Sequence, residues 1–267
     1  MPHVFFVAVY ETNHWEESMR AQHALTQRFW AADDSVHVRR LVSEGTRPRL
    51  PWARRLPAFQ ADPVPVLTLL ELLKDDPELY VRRSVANNLN DIAKDNPDLA
   101  ITTCARWMED ASPQRRWLVR HALRSVVKDG RPDALAVLGF GSGAGFRVSD
   151  ISISPPAPRI GDAIRIAFRV DNLAADSAAA MIDLRIHFVK ANGSTSAKVF
   201  RIATRTLAAG EHATVGKTIS LAQHSTRTLY PGQHRADAII NGATYPLGAF
   251  TLEGRTVDPP ASPTRAS

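Results

Sequence analysis

A six-residue block that recurs three times in the first half of the chain constrains its fold more than any other feature. The copies begin at His37, Tyr80 and Leu118 and read HVRRLV, YVRRSV and LVRHAL. Their valines lie 43 and then 38 residues apart. Helical repeats recur with a period of roughly 40–47 residues, because each helix pair buries its apolar face only against a neighbouring pair. The spacing therefore predicts stacked helix pairs.

The apolar residues around these blocks follow the period of a helix, as in Val81, Val85 and Leu89. Asp-Pro and Asn-Pro pairs mark helix boundaries, since the residue before a proline is pushed out of the α region. Residues 30–140 are therefore predicted to form a HEAT-like α-solenoid. Residues 1–29 lack this pattern and are predicted to be an atypical N-terminal segment.

The second half of the chain has the pattern of strands. Residues 164–170, 184–188 and 217–221 alternate apolar and polar side chains, and glycine-containing turns separate such runs. About seven short strands over roughly 100 residues are typical of an immunoglobulin-like β-sandwich, which we predict for residues 146–254. The glycine-rich residues 141–145 are predicted to be a linker and residues 255–267 a disordered tail. The predicted class is multidomain α + β.

Charge is sorted along the helical half. Up to residue 140 there are 19 Lys and Arg against 18 Asp and Glu, yet the acids fall mainly in connectors and the arginines in the repeated blocks. Six arginines and one acid, Glu44, lie between Val38 and Arg55. Such sorting produces a directional field. It predicts a row of guanidinium groups that follows a phosphate backbone, with double-stranded DNA as the partner.

Other features limit the classes of protein. Cys104 is the only cysteine, which rules out an internal disulfide and favours a reducing, cytoplasmic environment. No apolar run approaches the ~18 residues of a membrane span. The sequence contains no phosphate-binding glycine loop, metal-ligand cluster or nucleophile elbow, so no metal or cofactor is predicted.

Aligning the blocks on their valines places polar residues in register. Arg40 aligns with Arg83 and His121, and the positions four and seven residues later stay on the same helical face. On any one helix, these polar residues are explained by a solvent-exposed face with ordinary ion pairs. Three such faces that are in register and contain arginines instead favour nucleic-acid binding. The predicted DNA-binding residues are Arg39, Arg40, Arg47, Arg49, Trp52, Arg82, Arg83, Asn87, Trp117, Arg120, Arg124, Lys128, His224 and Arg227.

Two carboxylates are the candidate catalytic residues. Glu44 could stabilise positive charge on a deoxyribose or position a water, or it could merely pair with Arg40 or Arg47. Asp91 is the second candidate, beside an unusual cluster of asparagines. Trp52 follows a proline-containing basic loop that suits stacking on a base or sugar.

Residues 43–52 and 80–94 resemble the AlkC-type DNA alkylation repair glycosylases, which are HEAT-like proteins related to AlkD. Some members carry an immunoglobulin-like domain after the helices, and residues 223–234 look like that domain. The resemblance implies a glycosylase that hydrolyses the N-glycosidic bond of alkylated, cationic bases such as 3-methyladenine or 3-methylcytosine. We expect the protein to be a monomer. The alternative is a catalytically inactive HEAT-repeat protein, either a DNA binder truncated at its N-terminus or a protein scaffold.

Overall fold

A computed structural model of the protein describes residues 28–223 and 228–254. The chain divides into two compact units between Val126 and Val127. Helices come first and two sheets of strands follow, which confirms the predicted α + β class. Most of the predicted N-terminal segment, residues 224–227 and the predicted tail lie outside the described residues.

The helices have ordinary lengths, and several begin at a proline, whose fixed φ and missing N–H suit the first turn. Their bounds are α1 Val36–Gly45, α2 Pro57–Ala61, α3 Val64–Leu73, α4 Leu79–Asp95, α5 Pro97–Met108, α6 Pro113–Ala122, α7 Arg124–Lys128 and α8 Pro132–Val137. No helix within the described residues is long and apolar enough to cross a membrane.

The three repeated blocks lie in α1, α4 and α6, and α4 packs between the other two. Val81 and Val119, which the blocks share, are fully buried. Helices α3 and α5 cover α4 as a second layer, with Trp107 wholly buried and its indole N–H donating to Glu71 at 2.7 Å. Burial of the valines of the second and third blocks between neighbouring helices accounts for the stacking, whereas Val38 of the first block is only partly buried.

Hydrogen bonds from two arginines hold α1 and α4 to the connector between α3 and α4. The Arg39 Nε donates to the Asp76 carboxylate at 2.6 Å, and its Nη1 donates to the backbone carbonyl of Asp33 at 2.8 Å. Arg82 donates to the carbonyls of Asp76 and Pro77, the latter at 2.7 Å. The arginine directly after the block valine therefore contributes to helix packing in the first two of the three copies.

The second unit is a sandwich of two antiparallel sheets, with strand orders β1-β2-β5 and β4-β3-β6-β7. The strands are β1 Phe146–Ser154, β2 Ala163–Asn172, β3 Ala178–Val189, β4 Thr195–Leu207, β5 His212–Ser220, β6 Gly232–Ile240 and β7 Ala243–Leu252. Inward residues such as Ile166, Phe168 and Leu184 form the core between the sheets. This is the immunoglobulin-like arrangement that the alternating pattern predicts.

A buried histidine joins neighbouring segments of the sandwich. His234 lies between Phe188 and Phe250; its Nδ1 accepts from the Val189 N–H at 3.2 Å, and its Nε2 donates to the Tyr230 carbonyl at 3.1 Å. Burial lowers the pKa of His234, so the neutral ring is favoured.

Residues 141–145, the predicted linker, contain a 3₁₀ turn at Gly143–Gly145. The Tyr245 hydroxyl lies 2.5 Å from the Gly143 carbonyl oxygen. A Cβ on Gly143 would come within 2.1 Å of the Ile240 carbonyl oxygen, so this close approach requires glycine.

Candidate active site

Two carboxylates from different helices share one guanidinium group. Glu44 stands at the C-terminal end of α1, Arg47 follows it by one turn, and Asp91 lies in α4. The Arg47 Nη1 is 2.8 Å from Glu44 Oε1, and its Nε donates to Asp91 Oδ2 at 2.9 Å. Charge-assisted hydrogen bonds from one planar guanidinium group to two carboxylates fix the positions of both. We refer to Glu44, Arg47 and Asp91 as the carboxylate cluster.

The two carboxylates differ in access to solvent. The Asp91 side chain is 3% exposed, whereas that of Glu44 is 20% exposed. Asp91 also accepts from Lys94 at 3.0 Å, so its charge is balanced by two cations. Glu44 is therefore the carboxylate that a bound molecule can reach, and Asp91 is the one that holds Arg47.

Further donors fix the Glu44 carboxylate. The Ser84 hydroxyl donates to Oε2 at 2.6 Å, and Arg40 Nη2 lies 3.3 Å from the same oxygen. Beneath them, the buried Asn88 amide donates to the Ser43 carbonyl at 2.7 Å and to the Thr46 hydroxyl at 3.0 Å. These hydrogen bonds join the end of α1 to α4 and limit the positions that Glu44 can take.

An aromatic ring borders the carboxylate cluster. The guanidinium carbon of Arg40 lies 4.0 Å from the centre of the Tyr80 ring, an arrangement that favours a cation over an aromatic face. His37 meets the same ring edge-on at 5.9 Å. Tyr80 is 45% exposed, so it adds an accessible ring beside Arg40, which also contacts Glu44.

A second polar group joins α4 to α6 and α7. The side-chain oxygen Oδ1 of Asn87 accepts a hydrogen bond from Arg124 Nη2 at 3.0 Å and lies 3.2 Å from His121 Nε2. Trp117 stacks on His121 with a centroid distance of 5.2 Å and an angle of 6°. The pKa of His121 is lowered by burial and then by Arg124 and Arg83. Arg124 is exposed as a residue, but its guanidinium group lies against His121 and Asn87, and this desolvation lowers its pKa, which the carboxylate of Asp91 counteracts.

Comparison with known proteins gives two extended matches. Uncharacterized protein YhaZ of Bacillus subtilis is 35% identical over 260 residues, which are 89% of this chain and 72% of that protein. The chain belongs to the YhaZ and AlkC family. The structure of the Pseudomonas fluorescens alkylpurine DNA glycosylase AlkC, bound to DNA containing an abasic site analog, matches with a TM-score of 0.83. Its identity is 36%, over 89% of this chain and 66% of AlkC.

The family assignment extends to the second unit. Residues 147–254 match the family model described as "Uncharacterised protein YhaZ, C-terminal Ig-like domain". The described sandwich strands of this AlkC-type chain fall within or next to these bounds, from Phe146 to Leu252. The resemblance to AlkC and the immunoglobulin-like interpretation are therefore both confirmed.

In this AlkC-type chain the predicted row of free guanidinium groups is interrupted. Arg39 and Arg82 pair with the connector at Asp76, Arg47 bridges the carboxylate cluster, and Arg49 pairs with Asp95 at 2.7 Å. The physical reason is that a buried or half-buried guanidinium needs acceptors for its N–H groups, and the connectors and α4 provide them. The role of these four arginines in DNA binding stays a prediction.

Other predicted residues lie on the surface. Arg83 and Arg120 are exposed and have no ion pair within the described residues, and Arg124 is exposed beside Asn87. Trp52 is fully exposed, and Lys128 is exposed within the second unit. His224 and Arg227 lie outside the described residues.

The sequence pattern did not single out Ser84 or Tyr80. Ser84 lies between Val81 and Val85, and a buried hydroxyl in an apolar helix face is the signal that could have indicated it. Tyr80 directly precedes the block valine in one copy only. Among the residues that the structure describes, no three His, Cys, Asp or Glu side chains are grouped as a metal site.

Proposed function

We propose that this chain is a DNA glycosylase that hydrolyses the N-glycosidic bond of alkylated bases such as 3-methyladenine or 3-methylcytosine. The observation that carries the proposal is the partly exposed Glu44 carboxylate, which is held by Arg40, Arg47 and Ser84 in a protein 36% identical to AlkC. The solved protein is named as an alkylpurine DNA glycosylase bound to DNA. Its activity is the best guide to that of this chain.

The chemistry needs little help with the leaving group. Alkylation at N3 makes the base cationic, so the electron pair of the C1′–N bond leaves with the base and neutralises it. Water adds to the sugar C1′ and loses a proton, which leaves an abasic site. Positive charge develops on the sugar in the transition state, and a fixed carboxylate stabilises that charge more than it stabilises the substrate.

Glu44 is proposed as the catalytic carboxylate because it is the more exposed of the two and is held by Ser84 and two arginines. Asp91 is proposed as a positioning residue that acts through Arg47, since its side chain is 3% exposed. Arg47 shields the two carboxylates from each other and keeps Glu44 from turning away. Tyr80 offers an aromatic face to the cationic base or sugar.

The decisive test is release of methylated bases from alkylated duplex DNA by the purified chain and its variants. Glu44→Gln keeps the shape and removes the charge, so excision should fall by roughly 10²-fold or more while DNA binding is retained. Asp91→Asn should cause a smaller loss together with lower stability, because Arg47 loses a buried partner. Glu109→Gln, at an exposed position after α5, is the matched control and should excise normally.

The outcomes separate the candidate functions. Normal excision by Glu44→Gln with an inactive Asp91→Asn would reverse the two roles. DNA binding without release of any base by the parent chain would contradict the glycosylase and favour the inactive DNA-binding protein. Cytoplasmic location and a monomeric state stay predictions.

DNA binding is proposed to depend on the exposed arginines Arg83, Arg120 and Arg124. Each phosphate contact releases a counterion, so affinity should fall steeply between 50 and 200 mM salt. Arg83→Gln and Arg120→Gln should each reduce the slope of log affinity against log salt by about 1. Arg106→Gln, which removes an exposed partner of Glu71, should leave the slope unchanged. Equal slopes for all variants in fluorescence anisotropy titrations would contradict this assignment.

The sandwich is proposed as a second DNA contact, since the chain after residue 140 has 14 Lys and Arg against 9 Asp and Glu. An immunoglobulin-like domain carries no function by its fold alone, so this role depends on the surplus of charge.

A further inference from the structure

Strand β4 lies at an edge of its sheet and is unusually long for such a position. It has 13 residues, and within the part of the chain that the structure describes it pairs only with β3. The register is regular over residues 195–201, which span about 20 Å at about 3.3 Å per residue. Exposed edge strands are normally short or interrupted, because a regular edge is a template for another strand.

The hydrogen bonds of the β3–β4 hairpin show which backbone groups face away from β3. The Lys190 N–H donates to the Ser194 carbonyl at 2.8 Å, and bonded and non-bonded pairs alternate from there along the two strands. The Lys217 Nζ of the other sheet donates to the Arg201 carbonyl at 2.9 Å, which agrees with this alternation. We refer to the N–H and C=O groups that face away from β3 in the regular segment as the β4 edge; they belong to Ala197, Val199 and Arg201.

The charge around the β4 edge is of one sign. Residues 184–210 contain five Lys and Arg and no Asp or Glu. Three of the five lie on β4 itself, namely Lys198, Arg201 and Arg205, and Arg201 pairs with Asp183 of β3. Pairing of β4 with a second copy of itself would bring like charges together, which is unfavourable. The charge therefore selects an acidic partner and disfavours self-association.

The backbone groups favour a polypeptide over a nucleic acid as that partner. Phosphate oxygens only accept hydrogen bonds, so a phosphate backbone would leave the carbonyls of Ala197 and Val199 without a donor. An extended polypeptide provides both a donor and an acceptor at every second residue and pairs with N–H and C=O alike. Addition of a peptide strand to an exposed sheet edge is a general mode of recognition.

We infer that the β4 edge binds an extended acidic segment of another protein, which adds to the sheet as a further strand. Backbone hydrogen bonds provide affinity, and carboxylates of the segment beside Lys198 and Arg205 provide selectivity. Phe200 is partly buried, and the Lys198 ammonium lies 5.3 Å from the centre of its ring, so an apolar contact adjoins the charges. The inference does not rest on the proposed glycosylase activity, because no residue of the carboxylate cluster takes part.

The test uses the full chain and a fluorescein-labelled peptide of four Glu-Val repeats. We expect saturable binding in anisotropy titrations, weakened several-fold between 50 and 200 mM salt because the charges are exposed. Hydrogen exchange followed by mass spectrometry should show slower exchange in residues 195–201 when the peptide is bound. The same peptide N-methylated at every residue keeps its carboxylates but has no backbone donors, and it should not bind.

Two variants test the edge and its charge separately. Val199→Pro removes an N–H that does not bond to β3, and proline is tolerated at such an edge position. Affinity for the peptide should fall about tenfold, as expected for loss of one hydrogen bond. Lys198→Glu should weaken binding about threefold or more. Arg165→Glu makes the same change of charge on β2, in the other sheet, and is the matched control with unchanged affinity.

The outcomes decide between the possible partners. Equal binding of the unmodified and N-methylated peptides would show a contact through charge alone and would overturn the inference, even if Val199→Pro failed to fold. Slower exchange of residues 195–201 with duplex DNA and not with the peptide would assign the edge to DNA instead. Dimerisation of the parent chain in sedimentation, abolished by Val199→Pro, would assign it to a second copy. Release of methylated bases is measured separately, so failure here leaves the proposed function intact.

Discussion

At the scale of single residues, arginines of one repeated pattern have different roles because their acceptors differ. Arg39 and Arg82, directly after the block valine, donate to the connector at Asp76. Arg40, one place later, faces Tyr80 and Glu44. A step of one residue turns a side chain by about 100° around the helix, since 3.6 residues make a turn. Residues adjacent in sequence therefore meet different partners.

Ser84 gives a prediction at this scale. Ser84→Ala removes the 2.6 Å hydrogen bond to Glu44 without adding bulk to the buried face of α4. A hydrogen bond to a charged group contributes about 1.5–3 kcal/mol, so kcat for excision should fall about tenfold or more. KM and DNA affinity should stay unchanged, because the hydroxyl is buried and does not face DNA. An equal loss in binding and in kcat, measured under single-turnover and titration conditions, would indicate a purely structural role.

At the scale of elements, one connector aspartate holds arginines from both α1 and α4. Asp76 is buried and joins Arg39 to its carboxylate and Arg82 to its backbone carbonyl. The neighbouring Asp75 pairs with Arg115, but the Asp75 side chain is 44% exposed. Exposed ion pairs contribute little to the free energy of unfolding, whereas removal of one partner of a buried ion pair lowers it strongly.

Asp76→Ala should therefore lower the free energy of unfolding by about 3 kcal/mol. Asp75→Ala, the matched control, should lower it by less than about 1 kcal/mol. Urea unfolding followed by circular dichroism measures both differences. Similar losses for the two variants would show that the buried tie contributes no more than an exposed pair.

At the scale of the whole molecule, each compact unit contains a histidine whose ring is held neutral. Burial lowers the pKa of His121 in the first unit and of His234 in the second. The unfolded chain then binds more protons than the folded chain once the pH falls to the ordinary histidine pKa of about 6.5. Stability from these groups is therefore complete above that pH and decreases below it.

We expect the urea midpoint of the parent chain to decrease between pH 7.5 and pH 6. In the His234→Phe variant this decrease should be smaller, whatever the stability of the variant at pH 7.5. A His234→Phe variant with the full parental pH dependence would contradict a neutral buried His234.

The sequence by itself determined the class of the fold, the family and the two candidate carboxylates. The period of the block and the alternation of the strands are local properties, because they report which face of each element is apolar. Glu44 stood out as the one acid among six arginines, and the carboxylate cluster is built around it. The assignment of its role stays a prediction.

Only the tertiary structure decided which side chains meet. Arg47 and Asp91 are 44 residues apart, and Ser84 and Glu44 are 40 apart, so their contacts depend on how α1 and α4 are offset and rotated against each other. No local pattern encodes that offset. The same packing directs Arg39 and Arg82 to Asp76, because a buried guanidinium group needs hydrogen-bond acceptors inside the protein. It leaves the Trp52 side chain exposed to solvent.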